Sequence, residues 1–260
     1  MIALEILGAL LVGLSLGLLG AGGSIVTVPV LVFVVGDPPK VAIAESLAIV
    51  GAIAATAASR YQRQRLIDWR HAILLGVPGM LGALQGAMLA RAMSGRAQMI
   101  LFACVAFVAA LRMLLARSPS DSAPTSPHRP AWQPILAGIA VGLLTGLVGV
   151  GGGFLLIPAL VVLLGVPMRR AIGTSLVVIV ANCVVGFARQ FASLEASGDQ
   201  IQWITVIVFA VVGSTGALAG ARLSAHLPHN ILRVTFAWVL VLVAIGTLVS
   251  QLLSTTAPAS

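Results

Sequence analysis

Gly17-Leu-Leu-Gly20-Ala-Gly22-Gly23-Ser24, followed by Pro29, recurs 129 residues later as Gly146-Leu-Val-Gly149-Val-Gly151-Gly152-Gly153, followed by Pro158. Laid over each other without a gap, residues 13–50 and 142–179 share sixteen identities in thirty-eight positions, among them Gly36/Gly165, Pro38/Pro167, Ser46/Ser175 and Leu47/Leu176. Beyond Arg60/Arg189 the second copy carries five extra residues. The register then resumes at an offset of 134, with Trp69 on Trp203, Gly79 on Gly213, Gly82 on Gly216, Gly86 on Gly220 and Phe102 on Phe236. The chain is one unit written twice.

With 59% hydrophobic and 8% charged residues, the chain has too little polar surface to cover a water-soluble globule. Apolar runs long enough to cross a bilayer lie near 46–59, 72–90, 97–116, 171–188, 202–221 and 231–252, and two longer ones, 4–35 and 133–164, contain the glycine motifs. The first run is too long for a cleavable signal and has no basic leader, so it is expected to remain in the mature protein. The expectation is an all-α polytopic membrane protein of eight hydrophobic segments: a first repeat over 1–116, a Pro/Ser-rich cytoplasmic linker over 117–131 and a second repeat over 132–260.

Each glycine segment is thirty-two residues long. As one helix it would measure about 48 Å at ~1.5 Å per residue, against a hydrocarbon core of about 30 Å. Glycines at its middle and the proline beyond them break it. It then either crosses as a tilted, broken helix or turns back as a re-entrant hairpin. If all eight segments cross, the fifteen Lys and Arg divide eight to seven and carry no orientation signal. If the second glycine segment turns back, Arg60, Arg63, Arg65, Arg70, Arg112, Arg117, Arg129, Arg169, Arg170, Arg222 and Arg233 share a side, leaving Lys40, Arg91, Arg96 and Arg189 on the other. Eleven against four is the bias expected of a cytoplasmic face. The repeat extends the hairpin to the first segment, and three crossings after each hairpin invert one half relative to the other, as in many secondary transporters.

Irregular backbone at membrane depth is tolerated where it is buried or lines a wet cavity. Glycine exposes backbone N–H groups at helix starts, where partial positive charge attracts anions. The expected substrate-binding set, one midplane site that the two glycine segments form together for alternating access, is therefore Gly20, Gly22, Gly23, Ser24, Gly149, Gly151, Gly152 and Gly153, with Ser46, Thr174, Ser175 and the central amide Asn182. Capping and helix packing compete for these roles. Gly13, Gly17, Gly20, Gly142, Gly146 and Gly149 also fit small-residue packing, and the hydroxyls fit interhelical hydrogen bonds. Alanine at Gly22 and Gly151 separates the two readings, since packing predicts lost stability and a site predicts lost binding in a folded protein. Glu45 is the one acid that falls inside the hydrophobic zone; it is a candidate for proton coupling, the alternative being that it snorkels to the outer surface. Gln85 is a weaker lining candidate, and Arg60 and Arg189 either flank an access path or are solvated at the interface. Trp69 and Trp203 read as interface anchors.

Cys104 and Cys183 read as buried small hydrophobes. No metal, cofactor or nucleotide motif is present, and no nucleophile pair or metal set points to an enzyme. The net charge of +8 is attributed to membrane orientation and not to nucleic acid. The expected partners are a small anion and membrane lipid, with a homodimer left open.

Gly20-Ala-Gly22-Gly23-Ser24 through Pro29, Gly149-Val-Gly151-Gly152-Gly153 through Pro158, and Ala171-Ile-Gly-Thr174-Ser175-Leu176 resemble the sulfite exporter TauE/SafE family of permeases along essentially the whole chain. The resemblance implies a multi-pass protein of the bacterial inner membrane that exports small sulfur-containing anions such as sulfite, sulfoacetate or other organosulfonates by secondary transport. Ala44 and Glu45 depart from it, standing where the second copy has Gly173 and Thr174. A non-transporting membrane scaffold or assembly factor is the alternative, its glycines serving packing alone.

Overall fold

The computed structural model describes residues 2–20, 27–28, 30–90, 93, 95–115, 132–148, 153–197 and 200–256. Every regular element among them is helical: α1 (Ile2–Leu19), α2 (Pro39–Arg63), α3 (Trp69–Ala90), α4 (Gly95–Leu115), α5 (Trp132–Val148), α6 (Gly153–Pro158), α7 (Met168–Ser197), α8 (Trp203–His226) and α9 (His229–Thr256). Five stretches, Val41–Arg63, Trp69–Ala90, Met168–Ala192, Trp203–His226 and His229–Thr247, are long and apolar enough to cross a membrane. The chain is a multi-pass membrane protein. Its helices outrun the apolar runs of the sequence because polar first and last turns continue the same backbone bonding.

Both copies break in the same way. Leu31–Val35 and Ala159–Leu163 are π-helical turns. The second follows Pro158, which has no N–H to give to the helix. Gly36 (φ 91°) and Gly165 (φ 67°) then enter the left-handed region, where only glycine is unstrained. The matched bonds Asp37 N–H to Leu31 O (3.1 Å) and Val166 N–H to Leu160 O (2.9 Å) close the two turns.

Two compact units form, each from both halves of the sequence. Met1–Ala72 joins Arg169–Leu227, and Ile73–Met168 joins Pro228–Ser260. In the first unit α1 runs parallel to α8 with backbone against backbone. A side chain at Gly13 would strike the Gly213 carbonyl, one at Gly17 that of Ala217, and one at Gly216 would come within 2.6 Å of Leu10 O. The second unit repeats the contact with the matched residues: Gly142 on the Gly79 carbonyl, Gly146 on that of Ala83, and Gly82 and Gly86 on those of Ile139 and Leu143. Lipid gives apolar helices no hydrophobic reason to associate, so close approach through small residues supplies the attraction by dispersion.

α2 also runs parallel to α8, with Ile53 against Gly213 and the Thr56 and Ser214 hydroxyls 3.1 Å apart. Since α1 and α2 both parallel α8, their starts lie at the same end. The chain leaving α1 at Gly20 therefore returns to that end before α2 begins, and Gly8 of α1 lies against Val30 of the returning limb. α7 runs antiparallel to α2: Gly186 faces Leu47, Gly51 faces Cys183 and Gly173 faces Tyr61.

Candidate functional site

The antiparallel α2–α7 pair places the two matched polar positions at its opposite ends. Gly173, beside Thr174, lies at the level of Tyr61, so Glu45 is about 24 Å away along α2 at ~1.5 Å per residue. Glu45 and Thr174 thus do not share one coordination shell. Each instead holds the start of a neighbouring helix. Thr174 Oγ1 accepts the Asp68 N–H (3.0 Å), and Glu45 Oε1 accepts the Gln202 N–H (2.7 Å). Asp68 and Gln202 precede the matched tryptophans that open α3 and α8. The repeat therefore keeps a helix-start hydrogen bond while changing its acceptor from hydroxyl to carboxyl.

At the Glu45 end the Gln202 side chain also donates from Nε2 to Asp37 Oδ1 at 2.6 Å. Asp37 and Glu45 are 2% and 0% exposed, and their carboxyl groups lie close enough to interact directly. Among the described residues Asp37 Oδ2 and Glu45 Oε2 have no hydrogen-bond donor. Val41, Ala44, Leu194 and Ile201 pack around this end, and Trp203 makes ring contacts with Phe187 (6.3 Å between centroids) and Phe191 (6.5 Å). Glu45 stands out in the sequence as an acid among apolar residues; Asp37 and Gln202 do not. The signal that could have found them is their adjacency to Gly36 and Trp203, both matched by the repeat.

At the Thr174 end Asp68 caps α3. Its Oδ1 accepts the His71 N–H at 3.1 Å and its Oδ2 lies 2.7 Å from His71 Nδ1. The His71 hydrogen bond holds the Asp68 carboxyl below the usual aspartate range. Ser175 Oγ donates to Ile172 O (2.9 Å) and also reaches Gly20 O at 3.4 Å, so the first glycine segment meets the start of α7 here. Tyr61 Oη donates to Gly17 O at 3.0 Å. Arg169 donates to the Ala225 and Leu227 carbonyls at the end of α8 (2.7 and 2.9 Å), where the partial negative charge of the helix terminus favours a cation.

Of the remaining expected site residues, Gly20 is buried with φ 76°, and Gly153 is buried at the start of α6. Ser46 is buried and bonds back to Ile43 O at 2.8 Å, as Ser175 does to Ile172 O. Asn182 is half-buried midway along α7. Gly22, Gly23, Ser24, Gly149, Gly151 and Gly152 lie outside the described residues, as does the 117–131 linker. Gln85 and Arg189 are exposed, Arg60 is half-buried, and Trp69 and Trp203 are half-exposed.

In the second unit a cavity of about 530 Å³ lies between α4, α5, α6 and the Ala159–Leu163 turn. Val105, Val108, Leu144, Leu155 and Val162 give it apolar walls, and among the described residues Arg112 alone brings a charge to its lining. Cys104 is exposed and lines this cavity, which corrects its expected burial, while Cys183 is buried. A face of α4 turned to an apolar cavity satisfies a thiol without enclosing it.

Comparison with known proteins agrees with this all-helical membrane architecture. The chain is 32% identical over 247 residues to a probable membrane transporter protein of Xylella fastidiosa (strain 9a5c), covering 90% of each. It is 25% identical to the probable membrane transporter protein YunE of Bacillus subtilis, covering 94% of this chain and 95% of that one. A probable membrane transporter protein of Haemophilus influenzae is 26% identical, with 94% and 97% covered. No solved structure matches. The fold and these relatives define a membrane transporter and not an enzyme. More narrowly, the chain belongs to the sulfite exporter TauE/SafE family, whose profile matches residues 5–247.

Proposed function

We propose that the protein is a secondary transporter of the bacterial inner membrane that exports small sulfur-containing anions such as sulfite, sulfoacetate or other organosulfonates. Its two halves are inverted repeats, each a re-entrant glycine-rich segment followed by three crossings. The observation that carries this reading is the turn-back of the first glycine segment: α1 and α2 start at one end, and Gly20 sits buried with a left-handed backbone against Ser175. A hairpin of that kind brings backbone N–H groups to membrane depth without side chains in front of them. In this reading the inner glycines of both motifs, with Ser46, Thr174, Ser175 and Asn182, line the substrate path at successive depths, since Glu45 and Thr174 mark opposite ends of the α2–α7 pair. Substrate, lipid and, as an assembly, a second copy of the chain are its partners. Glu45 is the coupling group.

The scaffold reading draws its support from the outer glycines. Gly13, Gly17, Gly142 and Gly146 meet partner backbone directly, so these four serve packing in either reading. Purified protein in liposomes separates the two. Transport predicts efflux of sulfite or an organosulfonate under an imposed ion gradient, whereas a scaffold leaves flux at the level of empty liposomes.

A further inference from the structure

The mismatch between the two helix starts leaves a carboxyl pair that their shared capping role does not require. Thr174 accepts the Asp68 N–H with an uncharged hydroxyl, so capping needs no charge. Glu45 meets the matched N–H with a carboxyl, and Asp37, which stands where the second copy has Val166, adds another beside it. Gln202 spends one donor on each, through its backbone N and its Nε2. One oxygen of each acid is left over, both are buried, and among the described residues neither has a hydrogen-bond donor. Two adjacent charges shielded from water repel each other and lose their hydration, a combination that proteins relieve by keeping one carboxyl protonated. Among the described residues no basic side chain is paired with either acid. Val41, Ala44 and Leu194, with Ile201 packed against them, form an apolar cluster from α2, α7 and the loop before α8, next in the chain to Glu45 and Gln202. Lys40, Glu195 and Asp199 are the other ionisable residues nearby in the chain, and their side chains lie outside the described residues.

We propose that Asp37 and Glu45 form a single-proton binding site, in which one exchangeable proton bridges Asp37 Oδ2 and Glu45 Oε2 while Gln202 holds the other two oxygens in place. Binding takes one proton from water and changes the pair from two negative charges to one; release returns it to water. The proton is shared, so it belongs to neither residue alone. Only the use of this proton for coupling rests on the transporter reading above.

Infrared spectroscopy of the purified full-length chain in lipid tests the site without any substrate. A protonated carboxylic acid gives a C=O stretch separate from that of carboxylates. At neutral pH we expect such a band, amounting to one carboxyl per chain and shifting in D₂O. Asp37→Asn and Glu45→Gln should each diminish it, because the like charge that holds the proton on the remaining acid is then gone. Glu45→Thr, which installs the side chain used at Thr174, is the variant to read if the amides do not fold. Absence of the band in the wild type overturns the proposal and indicates two carboxylates neutralised from outside, by Lys40 or a bound ion. Persistence of the full band in one single variant also overturns it, since the proton would then sit on a lone acid. A sodium-specific rise in melting temperature over choline at equal ionic strength, lost in Glu45→Thr, would assign the site to a metal cation instead. If the band behaves as expected while liposomes show no anion flux, the proton site stands and the transport reading falls.

Discussion

Glu45 and Thr174 occupy one position of the repeat and hold the same backbone group, yet one end of the α2–α7 pair buries two carboxyls and the other buries a hydroxyl. The contact between α1 and α8 and its counterpart between α3 and α5 show the opposite behaviour. There the repeat keeps glycine against carbonyl at four matched positions, Gly13 with Gly142, Gly17 with Gly146, Gly216 with Gly82 and Gly220 with Gly86. At these four backbone contacts the copies are held identical, whereas the side-chain cap at Glu45 and Thr174 has diverged. Divergence that keeps the bond but adds charge points to a purpose other than folding.

The largest test is to break the matched interfaces. Gly13→Ala and Gly142→Ala each drive a methyl into a carbonyl on a packed helix, and overpacking of this kind costs about 3 kcal/mol or more when neither backbone can yield. Both variants should lose most of their folded, monodisperse fraction on size exclusion, and to a similar degree. A tolerant Gly142→Ala beside an intolerant Gly13→Ala would show that the two contacts are not energetically equivalent.

Exchanging the acceptors comes next. Thr174→Glu buries a carboxyl beside Asp68, with no glutamine side chain to hold it, and should lower stability by about 2–4 kcal/mol. Glu45→Thr keeps an acceptor for the Gln202 N–H and should change stability by less than about 1 kcal/mol. Thermal unfolding of the purified variants reads both, and equal losses in the two directions would defeat the claim that charge is superfluous to the cap. Gly36→Ala ranks below these. No atom lies within 4 Å of the added methyl, so its effect is the left-handed strain alone, about 1–2 kcal/mol. Gly165→Ala imposes the same backbone strain and should lower the melting temperature at least as much.

The smallest effect is acid sensitivity at the Thr174 end. Asp68 has its pKa depressed by the His71 hydrogen bond, so the unfolded chain binds this proton more readily than the folded one. Its stabilisation is complete above the ordinary aspartate value and is lost as pH falls through that value toward the depressed one. The group is partly exposed, which limits the effect to about 1 kcal/mol or less. Unfolding midpoints followed into the acid range should fall less for Asp68→Asn than for the wild type, and an unchanged acid limb would remove Asp68 from the account.

Much of this contrast is legible without coordinates. The Gly36/Gly165 match signals a shared backbone conformation, and the Glu45/Thr174 mismatch is visible in the alignment itself. Asp37 is hidden because its matched residue is Val166 and a charge beside a proline reads as an ordinary loop. Gln202 is hidden because its partner acids are remote in sequence, and a hydrogen bond from the main chain leaves no compositional trace. The π-helical turns are illegible for a related reason. Proline announces a break, but whether the chain resumes with i→i−5 bonds is decided by what packs around it. The mixing of the halves into two units is equally hidden, because glycine spacing marks a packing face without naming its partner helix.

The glycine contacts also constrain how the helices can move. Each glycine acts as a notch that seats one carbonyl of the facing helix, and the next residue along α1 is leucine in both cases, Leu14 after Gly13 and Leu18 after Gly17. A slip of one residue would bring a branched side chain to a gap that admits none. α1 and α8 are therefore geared together and cannot shear past one another. Any rearrangement of the first unit has to carry the pair as a single lever, with the bending left to connections such as Gly20 and Gly36, whose backbones already lie in the left-handed region.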